Sequence, residues 1–159
     1  MKAWFPWVSL VARLVLGSVM LVAGALKVTD PETAAQAVRA YELLPSSLVQ
    51  PVGWGLPFLE IAIGLLLIVG FGVRASAVAA GVFMIVFIAA VSSAWARGLS
   101  IDCGCFGGGG QVAAGQTKYL QEILRDVGLL ALAVWLWLYP VSKFAVVAES
   151  PERQGVTAS

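Results

Sequence analysis

Apolar residues run along this chain in long blocks separated by short polar connectors. Trp4 to Leu26 is interrupted by charge only at Arg13, Val52 to Gly70 only at Glu60, and Ala75 to Ala96 not at all. A bilayer core about 30 Å thick needs roughly 20 apolar residues per helical span, and each of these blocks approaches or meets that length. Val127 to Tyr139 is uniformly apolar but short; it reaches spanning length only by extending back through Arg125 and Asp126 to about Tyr119. The pattern predicts an all-α membrane protein, a four-transmembrane-helix bundle with spans at about 4–26, 52–70, 75–96 and 119–139. These fall in one domain, 1–148, followed by a small polar tail, 149–159, expected to be disordered. Trp4, Trp7, Trp54, Trp95, Trp135, Trp137 and Tyr139 lie near the ends of the spans, where amphipathic rings prefer the headgroup level.

The connector after the first span reads as a short helix. Asp30 or Thr29 can cap it, Pro31 suits its first position, and Pro45 ends the run. Ala34, Ala37, Val38, Tyr41 and Leu44 recur at helical spacing, which fits an interfacial helix on the membrane or a connector packed against neighbouring loops. Lys2 and Ala23-Gly24-Ala25 loosely imitate a signal peptide, but the apolar run is too long for a signal core and carries Arg13 in its middle. The first span is therefore expected to be retained.

Composition agrees with lipid as the solvent. Of 159 residues 60% are hydrophobic and 12% charged, against about 25% charged in soluble domains. The formal net charge of +1 leaves no basic surplus to neutralise phosphates, so nucleic-acid binding has no electrostatic basis. With no His, imidazole acid–base catalysis and His-ligated metal or haem are excluded, leaving thiols, carboxylates and cations to carry any chemistry. Positive charge does not orient the bundle. With the N-terminus inside, Lys2, Arg74, Lys143 and Arg153 are cytoplasmic, and Lys27, Arg39, Arg97 and Lys118 are outside.

Two sets of residues stand out as candidate chemistry. Arg13 and Glu60 fall near the middle of sequential spans, where an ionised group costs at least about 2.5–3.5 kcal/mol; opposite signs at similar depth suggest an ion pair. That pair would either fix helix register or line a polar pocket for a small ligand such as a quinone head. Arg125 and Asp126, with Glu122, form a second polar cluster, and small residues (Gly17, Ser18, Gly24, Gly64) would let helices approach closely enough for such groups to meet. The second set is Asp102-Cys103-Gly104-Cys105-Phe106-Gly107, on the connector between spans three and four, and holds both cysteines of the chain. Closing so small a ring needs the positive φ that Gly104 allows. A strained, exposed disulfide is of the readily reduced kind, and the ring is too short to stabilise by loop closure. The backbone N–H groups of the glycines can stabilise a thiolate, while Asp102 opposes one. Two inert thiols and a soft-metal site built from both thiolates remain alternatives to a redox pair.

Arg13-Leu14-Val15-Leu16-Gly17, Ala23-Gly24-Ala25-Leu26-Lys27 and Glu60-Ile61-Ala62-Ile63-Gly64 resemble the DoxX-like superfamily of four-helix membrane proteins. Tyr41-Glu42-Leu43-Leu44-Pro45, Leu56-Pro57-Phe58-Leu59-Glu60 and Cys103-Gly104-Cys105-Phe106-Gly107 narrow the resemblance to the methylamine-utilisation MauE family, over about Val11 to Tyr139. The resemblance implies a small integral membrane protein associated with disulfide chemistry, working with a thioredoxin-fold partner outside the cytoplasm, and it supports an extracytoplasmic Cys loop. The expected function is a membrane thiol–disulfide oxidoreductase in which Cys103 and Cys105 cycle against such a partner or a small thiol. A membrane quinone near Arg13 and Glu60 is the expected second carrier, and a soft-metal protein using the same thiolates is the alternative.

Overall fold

Pro6 stands in the first turn of the first helix, where its missing N–H removes no helical bond. From there the chain runs as α1 (Phe5–Val28), α2 (Pro31–Ala40), α3 (Ser46–Val69), α4 (Val73–Ala96), β1 (Ile101–Asp102), β2 (Gly110–Gln111) and α5 (Tyr119–Leu138). The computed structural model describes residues 4–104 and 108–146. Cys105, Phe106, Gly107 and the expected disordered tail therefore lie outside the described residues.

Three helices, α1, α3 and α4, are long and apolar enough to cross a membrane. Each spans 24 residues, about 36 Å at 1.5 Å per residue. Their outward faces stay apolar: Val11, Phe58, Val82, Ile85 and Val86 are all more than half exposed, while Met84, next to Ile85, turns into the core. A helix apolar on every side needs lipid or protein around it, so the surroundings these faces imply are a bilayer. The half-exposed rings of Trp4, Trp7 and Trp137 mark one end of the bundle, and those of Trp54 and Trp95 the other.

The fourth long helix carries the charges that its sequence implied. α5 begins and ends where expected, and Glu122, Arg125 and Asp126 occupy its first two turns. The uncharged remainder, Val127–Leu138, is only about 18 Å long.

α1 packs chiefly on α3, and α4 on α5, in up-and-down order. The α1–α3 contact is glycine against glycine. A Cβ added at Gly17 would stand 2.9 Å from Ile68 and 3.0 Å from the Gly64 carbonyl oxygen; one at Gly64 would stand 2.8 Å from the Gly17 carbonyl oxygen. Gly24 likewise meets the Pro57 carbonyl oxygen at 2.6 Å. Ser18, expected at this contact, is exposed instead.

Asp30 caps α2 as expected, accepting from the Thr33 N–H at 3.1 Å and the Thr33 hydroxyl at 2.6 Å. The helix ends at Ala40, before the Leu44 expected from periodicity, because Glu42 turns the chain at φ +52°. Its buried face is alanine: Ala34, Ala35, Ala37 and Ala40. Ala35 lies against Gly53 of α3, and Ala37 lies against the connector between α4 and α5. This alanine face of α2 is thus packed on protein. That connector is not plain loop; β1 and β2 pair antiparallel, Ile101 opposite Gln111 and Asp102 opposite Gly110.

Candidate functional site

The β1–β2 hairpin holds Cys103 and Gly104 over the end of the bundle where α1 and α4 finish and α3 and α5 begin. Gly104 has φ +67°, and a Cβ there would stand 2.9 Å from both the Ala37 Cβ and the Gly108 carbonyl oxygen. Only glycine meets both demands, the left-handed backbone and the close approach of α2. Asp102 supports the turn directly, its Oδ1 accepting the Gly104 N–H at 3.1 Å.

Cys103 is 6% exposed, packed with Ala40, Tyr41, Val91, Ala94, Ile101 and Tyr119. This corrects the expectation of an exposed pair for this sulfur. The glycine loop by itself could bury nothing, but α2 folds over it. Arg97 fastens that cover by donating to the Tyr41 carbonyl oxygen. The companion sulfur, Cys105, and the expected supporting residues Phe106 and Gly107 lie outside the described residues.

Beneath Cys103 are the first turns of α5. Oxygen and sulfur atoms of Asp102, Cys103 and Glu122 lie within 4.8 Å of one another. The Glu122 carboxylate therefore stands beside the Cys103 sulfur, one of its oxygens no more than 4.8 Å from Sγ. Arg125 follows Glu122 at i+3, on the same helix face. Its Nη2 lies 4.0 Å from the Cys103 Sγ, while Nε and Nη2 both reach Asp126 Oδ1 at 2.8 Å. Beside the hairpin, a cleft of about 470 Å³ is lined by Asp102, Gln116, Lys118 and Glu122.

Deeper in the bundle, three of the four residues expected to line a pocket do meet. Glu60, Arg125 and Asp126 line a cavity of about 30 Å³ together with Met20, Phe83 and Phe87. Glu60 and Asp126 are each 3% exposed, and Glu60 Oε2 and Asp126 Oδ2 have no hydrogen-bond partner among the described residues. The cavity has room for one or two water molecules, the kind of donor such oxygens require. It does not fit a quinone head, since a cavity that takes benzene is about 150 Å³.

The fourth expected residue, Arg13, is elsewhere, and the expected Arg13–Glu60 ion pair does not form. Arg13 donates to Ser142 Oγ at 2.7 Å and to the Phe144 carbonyl oxygen at 3.4 Å, and its guanidinium covers Gly70. Glu60 pairs with Lys27, Nζ to Oε1, at 2.6 Å. The reason is antiparallel register. Glu60 stands level with Gly24 and Arg13 level with Gly70, so the two are separated along α1 by about 16 Å. Lys27 carried a usable signal, because antiparallel pairing of Gly17 with Gly64 places it within two turns of Glu60. Glu122 was visible as a charge near span four, but nothing local linked it to the cysteine.

Neither the curated proteins nor the solved structures contain a match to this chain. A family model does match it, over residues 5–139, and by that match the chain belongs to the family described as methylamine utilisation protein MauE.

Proposed function

We propose that this MauE-family protein is a membrane thiol–disulfide oxidoreductase whose Cys103 and Cys105 exchange a disulfide with an extracytoplasmic thioredoxin-fold protein or a small thiol. One observation carries the reading. A sulfur of the only Cys pair in the chain is set in a glycine-bent hairpin between a carboxylate and a guanidinium. Structural thiols need neither group, whereas thiol exchange needs a proton acceptor and a stabilised thiolate.

Further features support the finer parts. The cleft beside the hairpin gives a partner's chain or a tripeptide thiol a place to approach. α5 serves as the fourth span of a DoxX-like bundle: Asp126 is turned inward and neutralised by Arg125, so the charges of its first turns do not face lipid. An outward-facing Cys hairpin suits a compartment in which disulfides persist. The family description names methylamine utilisation as the process; the residues here bear on the sulfur step.

Soft-metal binding is the weaker reading. Asp102 and Glu122 are hard donors, and the Arg125 cation stands beside the sulfur, both unfavourable to a Cu(I)-like ion. Protein purified under reducing conditions is expected to carry no stoichiometric thiophilic metal by elemental analysis.

The decisive experiment replaces one cysteine at a time with Ser in the full-length membrane protein. The remaining thiol is expected to accumulate a mixed disulfide with the partner, seen on a non-reducing gel and lost on reduction. If neither variant traps anything and the thiol state of extracytoplasmic proteins is unchanged, the reading fails.

A further inference from the structure

We infer that Glu122 is the proton carrier for the Cys103 sulfur, and that Arg125, anchored by Asp126, is the positioning residue that holds the charge left behind. This rests on the thiol-exchange reading above. Cys103 is 6% exposed, so its proton cannot pass freely to buffer, and a base must be at hand. Two carboxylates lie within reach, Asp102 on the exposed side and Glu122 on the buried side, and Glu122 is the one with a buried oxygen that has no partner among the described residues. A Glu122 oxygen lies within 4.8 Å of the Cys103 Sγ, and its buried Oε2 leaves an oxygen on which a proton can be held.

The groups facing this sulfur divide cleanly. The hairpin contributes Asp102, an exposed carboxylate whose Oδ1 accepts the Gly104 N–H. From α5 come Glu122, Arg125 and the Tyr119 phenol, which is tied to the Leu99 carbonyl oxygen. Tyr41, at the end of α2, brings its ring and a buried phenol, and α4 presents Val91 and Ala94, which are apolar. Arg125 is thus the cation at the sulfur among the described residues, and Asp126 fixes its position through two donors to one oxygen.

The step balances in both directions. With a partner disulfide, the Cys105 thiolate attacks one partner sulfur, forming a mixed disulfide and releasing the other partner sulfur, which takes up the Cys105 proton. Cys103 then gives its proton to Glu122, and the resulting thiolate, held by Arg125, attacks Cys105. The Cys103–Cys105 bond forms, the second partner sulfur leaves, and the proton on Glu122 is returned to it through solvent. The pair loses two electrons and the partner disulfide gains them as a dithiol. In reverse, a partner thiolate attacks Cys105, Cys103 leaves as a thiolate beside Arg125, and Glu122 protonates it with the proton the partner thiol gave up. The partner's second thiolate then attacks its own sulfur in the mixed disulfide, and Cys105 leaves and takes that thiol's proton through solvent. The pair gains the two electrons that the partner dithiol loses.

Two measurements on the full-length protein in detergent test this. Alkylation of Cys103 by a small neutral reagent is followed against pH in a Cys105→Ser background. Disulfide closure is followed in the two-cysteine protein with oxidised glutathione. Glu122→Gln is expected to lower the alkylation midpoint, because an anion beside the thiolate is removed, and yet to slow closure by about 100-fold. Arg125→Gln is expected to raise the midpoint by about one pH unit. Glu122→Asp, which keeps the carboxylate, retains most of the closure rate, and it decides the question should Glu122→Gln fail to fold. A purely structural Glu122 would not move the midpoint and the rate in opposite senses. The inference is overturned if closure in Glu122→Gln matches wild type, or if rates in all variants simply follow the thiolate fraction. Should wild type itself never form the disulfide, the redox reading falls instead.

Discussion

Gly104 shows how a single position ties the chemistry to the fold. Its φ of +67° costs an L-residue about 1–2 kcal/mol, and the Ala37 side chain would be struck at 2.9 Å. Gly104→Ala is therefore expected to lift α2 from the hairpin, and the check is faster alkylation of Cys103 than in wild type. Lys27 and Glu60 pose a different problem, a charged pair in a nearly dry place. Removing one partner leaves the other charge unpaired, at a cost of about 3–5 kcal/mol. Lys27→Met alone should thus lower the thermal midpoint in detergent markedly, while the double variant with Glu60→Leu recovers most of the loss. Asp30 supplies a pH dependence. Donation from the Thr33 hydroxyl and N–H holds its carboxyl below the ordinary range. The stabilisation is complete above the unfolded pKa and is lost as pH falls through the lower folded value, so Asp30→Ala should flatten the acid limb of the stability profile. At this scale the Cys-Gly-Cys segment and the Asp30 cap were legible, because both depend on neighbours within a few residues. The Lys27 partnership was not, because it joins residues 33 positions apart.

Among the elements, the α1–α3 pair sets the register on which the rest depends. Gly17 and Gly64 bring the two backbones together, and close approach of this kind is what holds helices where no hydrophobic drive exists between them. Gly64→Leu is expected to force them apart at about 1–3 kcal/mol, and it should separate Lys27 from Glu60 as well. Lowered thermal stability together with loss of the Lys27→Met penalty in the double variant would show that coupling. α2 illustrates the limit of periodicity. Its alanine face fits lipid headgroups or protein equally well on the page, and only the surfaces it meets, Gly53 on α3 and Gly104 and Gly109 on the hairpin, distinguish the two. Cys103 became buried for the same reason: its cover comes from a helix more than sixty residues earlier in the chain.

For the whole molecule, the outward apolar faces of α1, α3 and α4 require a membrane whatever the details of the core. If α5 completes the crossing, both chain termini lie on one side and the Cys hairpin on the other. A membrane-impermeant thiol reagent applied to intact cells should then label the reduced hairpin from outside, while tags on both termini stay protected. The long apolar blocks determined the three long apolar helices and the solvent around them, since hydropathy over some twenty residues is a local sum that packing does not alter. The cysteine pair, its bend and the family resemblance were equally local. Only the tertiary structure decided which charges meet, because antiparallel register places Glu60 beside Lys27 and carries Arg13 to the far end. It alone also brought Glu122 and Arg125 to the Cys103 sulfur and laid α2 over them. Those contacts join remote segments through the rigid stacking of whole helices, which no window along the chain contains.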